Sequence, residues 1–305
     1  MATLWMMALT GGSVVGLACL VLLTWLVRGW GCRGPIGWRL DLPRPVAGAH
    51  RGGMALRPEN TLEAFAHARR LGCRFLELDV HLTRDCRVVV IHDPTVDRTT
   101  DGRGPVAGFT WDELQKLDAG FRFSAPDGET WRGRGVKVPA LDAVLAAFPD
   151  CTFSVDIKTA NPAVFPALAQ VIEQTATRGR VIAGAEAHCR YLRWRRTASG
   201  HPAFFTRVSG GLFWLFTLLG LSGLLKPCQQ TLQIPEYSGP IPLVTPRLLA
   251  AARRHGLPVL VWTVNDPAHM RRLLDLGVDG ILTDRPDLLM RVIREFSTAK
   301  ANLQA

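Results

Sequence analysis

V-A-G-A-H-R at 46–51 and R-F-L-E-L-D at 74–79 are the stretches whose reading decides the fold. Each is a short run dominated by apolar residues that ends on charged or polar ones, as a strand does when its carboxyl end opens on a site. Glu77 and Asp79 stand two apart, so on a strand their side chains leave the same face. The pattern recurs: V-V-V-I-H-D at 88–93, T-F-S-V-D-I-K at 152–158, V-L-V-W-T-V-N at 259–265 and G-I-L-T-D at 280–284. These runs reach His92 and Asp93, Asp156 and Lys158, Trp262 and Asn265, and Asp284.

Runs at 180–183, 203–205 and 232–234 complete a set of nine candidate strands. Helical patterns fall at 61–71, 141–148, 162–177, 246–255, 267–276 and 286–296. Asn60 precedes the first as a cap, Pro246, Pro267 and Pro286 sit where a helix begins, and Gly72, Gly256 and Gly277 follow helices. Strands alternating with helices mean a parallel sheet covered on both faces, open or closed. An open sheet gathers its site at one switch point, whereas polar residues here end most of the strands. That predicts the rim of a closed (β/α)8 TIM barrel. Nine strands are one too many, so 203–205 or 232–234 is expected to lie outside it.

The link at 80–87 (V-H-L-T-R-D-C-R) is too short for a helix and reads as a hairpin turn. A hairpin would send Glu77 and His92 to opposite ends of the sheet. To bring both to one rim, residues 81–85 must run back down before the next strand rises. Residues 94–139, rich in Gly, Asp and Arg, are expected to form a small irregular insertion over that rim.

One barrel of about 250 residues absorbs most of the 305-residue chain. The composition, 48% hydrophobic and 20% charged, is that of a folded protein. A formal net charge of +10 raises the question of an anionic partner. The chain shows no helix-turn-helix, zinc-finger or RNA-recognition pattern, which argues against nucleic acid. Its basic residues are scattered, as on solvated helix faces, with an anionic membrane surface as the alternative. Seven dispersed cysteines without a C-x-x-C pair speak against a disulfide framework and a structural zinc site.

No charged side chain occurs from Ala2 to Val27. The run at 4–27 is long enough to cross a hydrocarbon core of about 30 Å, with Trp5, Trp25 and Trp30 towards its ends. A cleaved signal peptide is the rival reading, but it calls for a basic n-region, and no Lys or Arg precedes Leu9. Arg28, Arg33, Arg39 and Arg44 all follow the run, which places the catalytic domain in the cytoplasm. The expected organisation is an anchor at 1–30, a juxtamembrane linker at 31–44, a catalytic barrel at 45–298 and a tail at 299–305. A second apolar stretch at 210–225 (G-G-L-F-W-L-F-T-L-L-G-L-S-G-L-L) is short for a span. It reads either as a buried helix or as a hydrophobic lip dipping into the bilayer beside the site.

Two carboxylates aimed into a barrel mouth repel each other unless a cation lies between them, and hard oxygen ligands suit Mg²⁺ or Ca²⁺. Asp156, on another strand end, is a candidate third ligand. His50 and His92 each end a strand and could face each other as general acid and base. Arg51 and Lys158 would hold an anionic group near the metal. A lone His at a strand end is usually just a polar residue near solvent, and a lone E-x-D is usually exposed alternation. Together the set describes phosphoryl chemistry better than acyl or hydride transfer.

The ordered motifs A-H-R-G-G, P-E-N-T at 58–61, E-L-D-V-H-L-T-R-D at 77–85, V-V-I-H-D, V-D-I-K, V-W-T-V-N and G-I-L-T-D-R-P resemble the glycerophosphodiester phosphodiesterase family, as a membrane-anchored member. The resemblance implies a (β/α)8 barrel that hydrolyses glycerophosphodiesters to glycerol 3-phosphate and an alcohol with a divalent metal, Mg²⁺ or Ca²⁺. By position it makes His50 and His92 catalytic and Glu77 and Asp79 metal ligands. Asp156 becomes a third ligand where the family more often carries Glu. Arg51 and Lys158 contact phosphate, and Trp262 forms a wall against the glycerol or alcohol. Asn60 caps a helix facing the site, and Glu59 serves as an outer carboxylate or faces water. A lysophospholipase D acting on lysophospholipids is the nearest rival, and a non-catalytic glycerophosphodiester-binding protein is the distant one.

Overall fold

The structure is a computed structural model that describes residues 38–126 and 128–304. The apolar run at 4–27 lies outside them. Among the described residues no helix is long and apolar enough to cross a membrane.

Seven parallel strands pair in the order β5-β4-β2-β1-β10-β9-β6. They are β1 Val46–Ala49, β2 Phe75–Leu82, β4 Thr152–Ile157, β5 Val181–Gly184, β6 Leu232–Pro235, β9 Val259–Trp262 and β10 Gly280–Thr283. The gap between β5 and β6 is bridged by residues 202–205. Ala183 N–H donates to the Pro202 carbonyl, Gln230 N–H to that of Ala203 and Phe205 N–H to that of Thr231. The curled sheet thereby closes as a barrel of the (β/α)8 type. Both 203–205 and 232–234 belong to the ring, contrary to the expectation that one would fall outside.

The surplus strand is β3, Val88–Val90, which pairs antiparallel with the end of β2 through Val80↔Val90 and Leu82↔Val88. β2 overshoots the rim, turns, and β3 descends, so that Ile91 N–H reaches the Asp79 carbonyl. The link is a hairpin after all, yet it returns His92 to the level of Asp79. The expected descent of residues 81–85 does not occur. His81 fixes the returning arm, its Nε2 lying 3.1 Å from the His92 carbonyl oxygen.

Alternation along β2 separates function from stability. Leu76, Leu78 and Val80 face outward into the shell formed with α1 (Leu62–Leu71), α3 (Leu141–Ala147) and α4 (Val164–Gln174). Phe75, Glu77 and Asp79 climb the inner face. Phe75 belongs to an apolar floor with Val46, Ile182, Phe204, Leu260 and Leu282, against which Trp38, Leu42 and Trp262 pack. Each such buried side chain contributes roughly 1.5–3 kcal/mol. The carboxylates lie above that floor, where the strands end.

Close strand approach also explains Gly280. A Cβ there would lie 2.5 Å from Leu260 Cδ2 and 2.7 Å from both Val46 Cβ and the Val46 carbonyl oxygen. Gly280→Ala should therefore lower stability by about 1–3 kcal/mol, the range for overpacking, read from the denaturation midpoint. An unchanged midpoint would show that β1 and β9 can part there without cost.

Outside the ring, α5 His188–Thr197 was not legible as a helix, and α6 Arg207–Leu218 begins the second apolar stretch. Phe213 and Phe216 on α6 are buried, whereas Leu215 and Leu218 are exposed. The segment is neither wholly buried nor wholly a lip. Residues 94–139 carry a small core of their own, in which Val96, Val106, Leu114, Val136 and Val138 pack on Val89 and Ile91. The insertion is irregular, as expected, with one short helix, α2 (Trp111–Leu114), yet it is packed.

Candidate active site

β1 ends in a tight turn, His50–Gly52, with Arg51 in the left-handed region at φ 49°. Gly52 and Gly53 continue at positive φ, and a Cβ on Gly52 would meet Ala64 Cβ at 2.7 Å. That turn, natural only to glycine for most of its length, points the Arg51 N–H at Glu77 Oε2, 2.9 Å away. It also places the Arg51 carbonyl 2.9 Å from the Asn60 N–H.

The two histidines are mounted alike. His50 Nδ1 lies 2.6 Å from Asp284 Oδ1, and His92 Nδ1 lies 2.6 Å from Asp93 Oδ1. A carboxylate at Nδ1 fixes the ring and its tautomer and leaves Nε2 for the cavity. Burial lowers the proton affinity of His50, but nearby Glu77 and the bond to Asp284 outweigh it, and its pKa ends above the ordinary imidazole value. Asn265 in turn donates to Asp284, at 2.7 Å.

Glu77 and Asp79 are buried side by side above the apolar floor. Burial first, and the Asp79 charge second, push the Glu77 carboxyl up to about 7. Asp79 goes the other way. Its burial is outweighed by Lys158, Arg51, His92 and the Asn60 amide, and its pKa falls below the ordinary range. Lys158 Nζ lies 3.2 Å from Asp79 Oδ1 and 2.6 Å from Asp156 Oδ2, while Arg51 Nε lies 3.4 Å from Asp79 Oδ2. Asp156 Oδ1 is buried with no hydrogen-bond partner. As these side chains stand, no three His, Cys, Asp or Glu residues among those described gather closely enough to hold an ion.

His50, Arg51, Glu77, Asp79, His92, Asp156, Lys158 and Trp262 all line one cavity of about 970 Å³. The side chains expected at the site thus meet in one cavity, but the residues that hold them were not foreseen. Asn60 is no cap. Thr61 Oγ1 caps α1 by accepting from Ala64 N–H, and Asn60 Nδ2 donates to Asp79 Oδ2 at 3.0 Å. Glu59 receives both Arg51 and Arg98, and Arg98 also grips Asp93 with Nε at 2.6 Å. Arg98, from the insertion, thus ties the His92 mount to the Arg51 mount. The adjacent His92-Asp93 pair was the available signal for the first. None pointed to Arg98.

The closed barrel thus carries two carboxylate-mounted imidazoles and a buried carboxylate pair on the lining of one cavity at its rim. The chain belongs to the glycerophosphoryl diester phosphodiesterase family, whose model matches residues 50–288, and it is a phosphoric diester hydrolase. It is 35% identical over 254 residues to a glycerophosphodiester phosphodiesterase of Caldanaerobacter subterraneus subsp. tengcongensis, covering 81% of this chain and 97% of that one. It is 27% identical to human lysophospholipase D GDPD1, over 82% of this chain and 86% of that one. Among solved structures, a glycerophosphodiester phosphodiesterase from Agrobacterium tumefaciens superposes with a TM-score of 0.65 at 27% identity, covering 80% of this chain and 98% of that one.

Proposed function

We propose that the chain hydrolyses glycerophosphodiesters to glycerol 3-phosphate and an alcohol, with His50 and His92 as the acid–base pair and a divalent cation on Glu77, Asp79 and Asp156. The observation that carries this reading is the matched mounting of the two imidazoles over one cavity. One ring takes a proton from the nucleophile, water or the substrate's own glycerol hydroxyl. The other protonates the leaving alkoxide, and the exchange needs no further residue. Arg51 and Lys158 hold the phosphoryl oxygens, and Trp262 walls the glycerol or alcohol side.

The donor chemistry is that of a hard divalent ion, oxygen ligands that would have to draw together around it. Seven carboxylates (Glu59, Glu77, Asp79, Asp93, Asp156, Glu186 and Asp284) share the rim with four fixed cations, Arg51, Arg98, Lys158 and Arg207. The carboxylates outnumber the fixed cations, and the surplus negative charge they carry when ionised repels a phosphodiester. The unpartnered Asp156 oxygen and the raised Glu77 are oxygen donors short of a cation. When bound, Mg²⁺ or Ca²⁺ supplies neutralisation of the phosphoryl oxygens and polarises the P–O bond.

Glu77 must lose its proton to bind that ion. Its metal-free folded pKa of about 7 exceeds the ordinary 4.5, so its contribution to metal-free stability falls as pH rises through that window. Stabilisation by added Mg²⁺ or Ca²⁺ should accordingly be larger at pH 8 than at pH 6 in thermal melts, and Glu77→Gln should abolish the difference. Equal stabilisation at both pH values would remove Glu77 from the ligand set.

Asp93→Asn and Asp284→Asn should each lower kcat by roughly 10²-fold or more, as a wrongly held imidazole does, and should shift the pH–rate profile. An unshifted profile with full kcat would make the mounts incidental.

A second reading, lysophospholipase D, is favoured by one observation. The cavity runs from the catalytic residues on to Trp214, Leu215, Ile241 and Leu243, an apolar continuation suited to an acyl chain. Release of choline from lysophosphatidylcholine in preference to glycerophosphocholine would establish it. We also propose the anchor at 4–27, with the barrel in the cytoplasm. Protease digestion of sealed membranes that spared the barrel would contradict that topology.

A further inference from the structure

Among the described residues nine large apolar side chains are exposed, and eight of them fall between residues 208 and 241. Single exposed leucines need no explanation, but a concentration of this kind marks an interaction site. The patch is formed by the outer face of α6, the turn that follows it, and the hairpin β7–β8 (Tyr237–Ser238 with Ile241–Pro242). Leu219 is 61% exposed and Leu224 64%. Leu215 and Ile241 are both exposed and line the catalytic cavity, so the ridge and the cavity mouth share a wall.

Charge decides what covers it. From Arg207 to Asn265 the sequence holds one acidic residue, Glu236, and Arg272 holds its carboxylate. The same stretch carries Lys226, Arg247, Arg253 and Arg254, besides Arg207, whose guanidinium pairs with Glu186. Lys226 and Arg247 are exposed, and Arg254 donates to Ser222 in the turn itself. Leucines flanked by cations, with almost no acid among them, match an anionic membrane interface: the apolar side chains enter the acyl boundary and the cations meet the headgroups. The chain before Trp38 adds the uncharged run at 4–27, which would hold the barrel near a bilayer.

We propose that this ridge docks on an anionic lipid bilayer, so that the catalytic cavity opens along the membrane surface rather than into bulk water. The proposal concerns where the barrel sits and stands apart from which phosphodiester it cuts.

The test uses the full chain bound to vesicles of phosphatidylserine and phosphatidylcholine, doped with a phosphatidylcholine whose acyl tail ends in a diazirine. Photolysis followed by peptide mapping should label peptides within 207–226 and 237–242 as well as any from 4–27. Leu219→Glu with Leu224→Glu should reduce the ridge labelling by about tenfold or more and leave both the labelling of 4–27 and the thermal melt unchanged. Ridge labelling should also weaken on phosphatidylcholine alone. Labelling confined to 4–27 would overturn the proposal. So would ridge labelling indifferent to anionic lipid, or a ridge cross-linked to a second copy of the chain in place of lipid.

Discussion

Purified His92→Ala and His50→Ala should each retain wild-type folding while kcat falls by about 10²–10⁴-fold, the range for loss of an acid–base group. The geometry explains why both should fail. Each ring is already committed through Nδ1 to a carboxylate, Asp93 for His92 and Asp284 for His50, so each has one nitrogen left for a single task. Neither ring is required by the core, since both line the cavity. Stability should change little, and the double variant should lose little more than the worse single one, because both transfers belong to one turnover. Initial rates on glycerophosphocholine, with circular dichroism melts beside them, read this directly.

The second large effect is expected at Asp79. Its carboxylate, 1% exposed, accepts from Asn60, faces Lys158 and Arg51, and has its own N–H held by the Asn60 side-chain oxygen. Asp79→Ala removes a buried carboxylate that two half-buried cations, Arg51 and Lys158, share as counter-charge. Breaking a buried pair in that way costs about 3–5 kcal/mol, and the same change removes a proposed metal ligand. The variant should therefore be inactive and melt well below wild type. Asp79→Asn keeps the shape but not the charge. It should lose activity as fully with a smaller loss of stability. An active Asp79→Asn would remove this carboxylate from metal binding, whatever its worth to the fold.

Much of this was readable in the chain because barrels place function at strand ends. E-L-D on one strand gave both spacing and direction, and the polar residues after each apolar run marked a common rim. The strand register was harder. Residues 80–87 do form a hairpin, but nothing local says that β2 runs three residues beyond Asp79 before turning, which is what returns His92 to the site. The closing position at 202–205 is held by a few backbone bonds to its neighbours, too short a signal for periodicity. Asn60 looked like a cap because Asn favours that place, while the adjacent Thr61 does the capping and frees the amide for Asp79. Arg98 was invisible for a different reason. Its partners Glu59 and Asp93 lie 39 and 5 residues away, and only folding of the insertion joins them.

On the mechanism proposed above, a cation-dependent acid–base pair at this rim cuts phosphodiesters. That mechanism is tested most directly by glycerophosphocholine hydrolysis with wild type and the two histidine variants, after EDTA and then with Mg²⁺ or Ca²⁺ restored. The expected result is release of glycerol 3-phosphate by wild type that stops with EDTA, returns with one of the two ions, and is absent from both variants under every condition. Hydrolysis indifferent to EDTA, or undiminished in either variant, would contradict it.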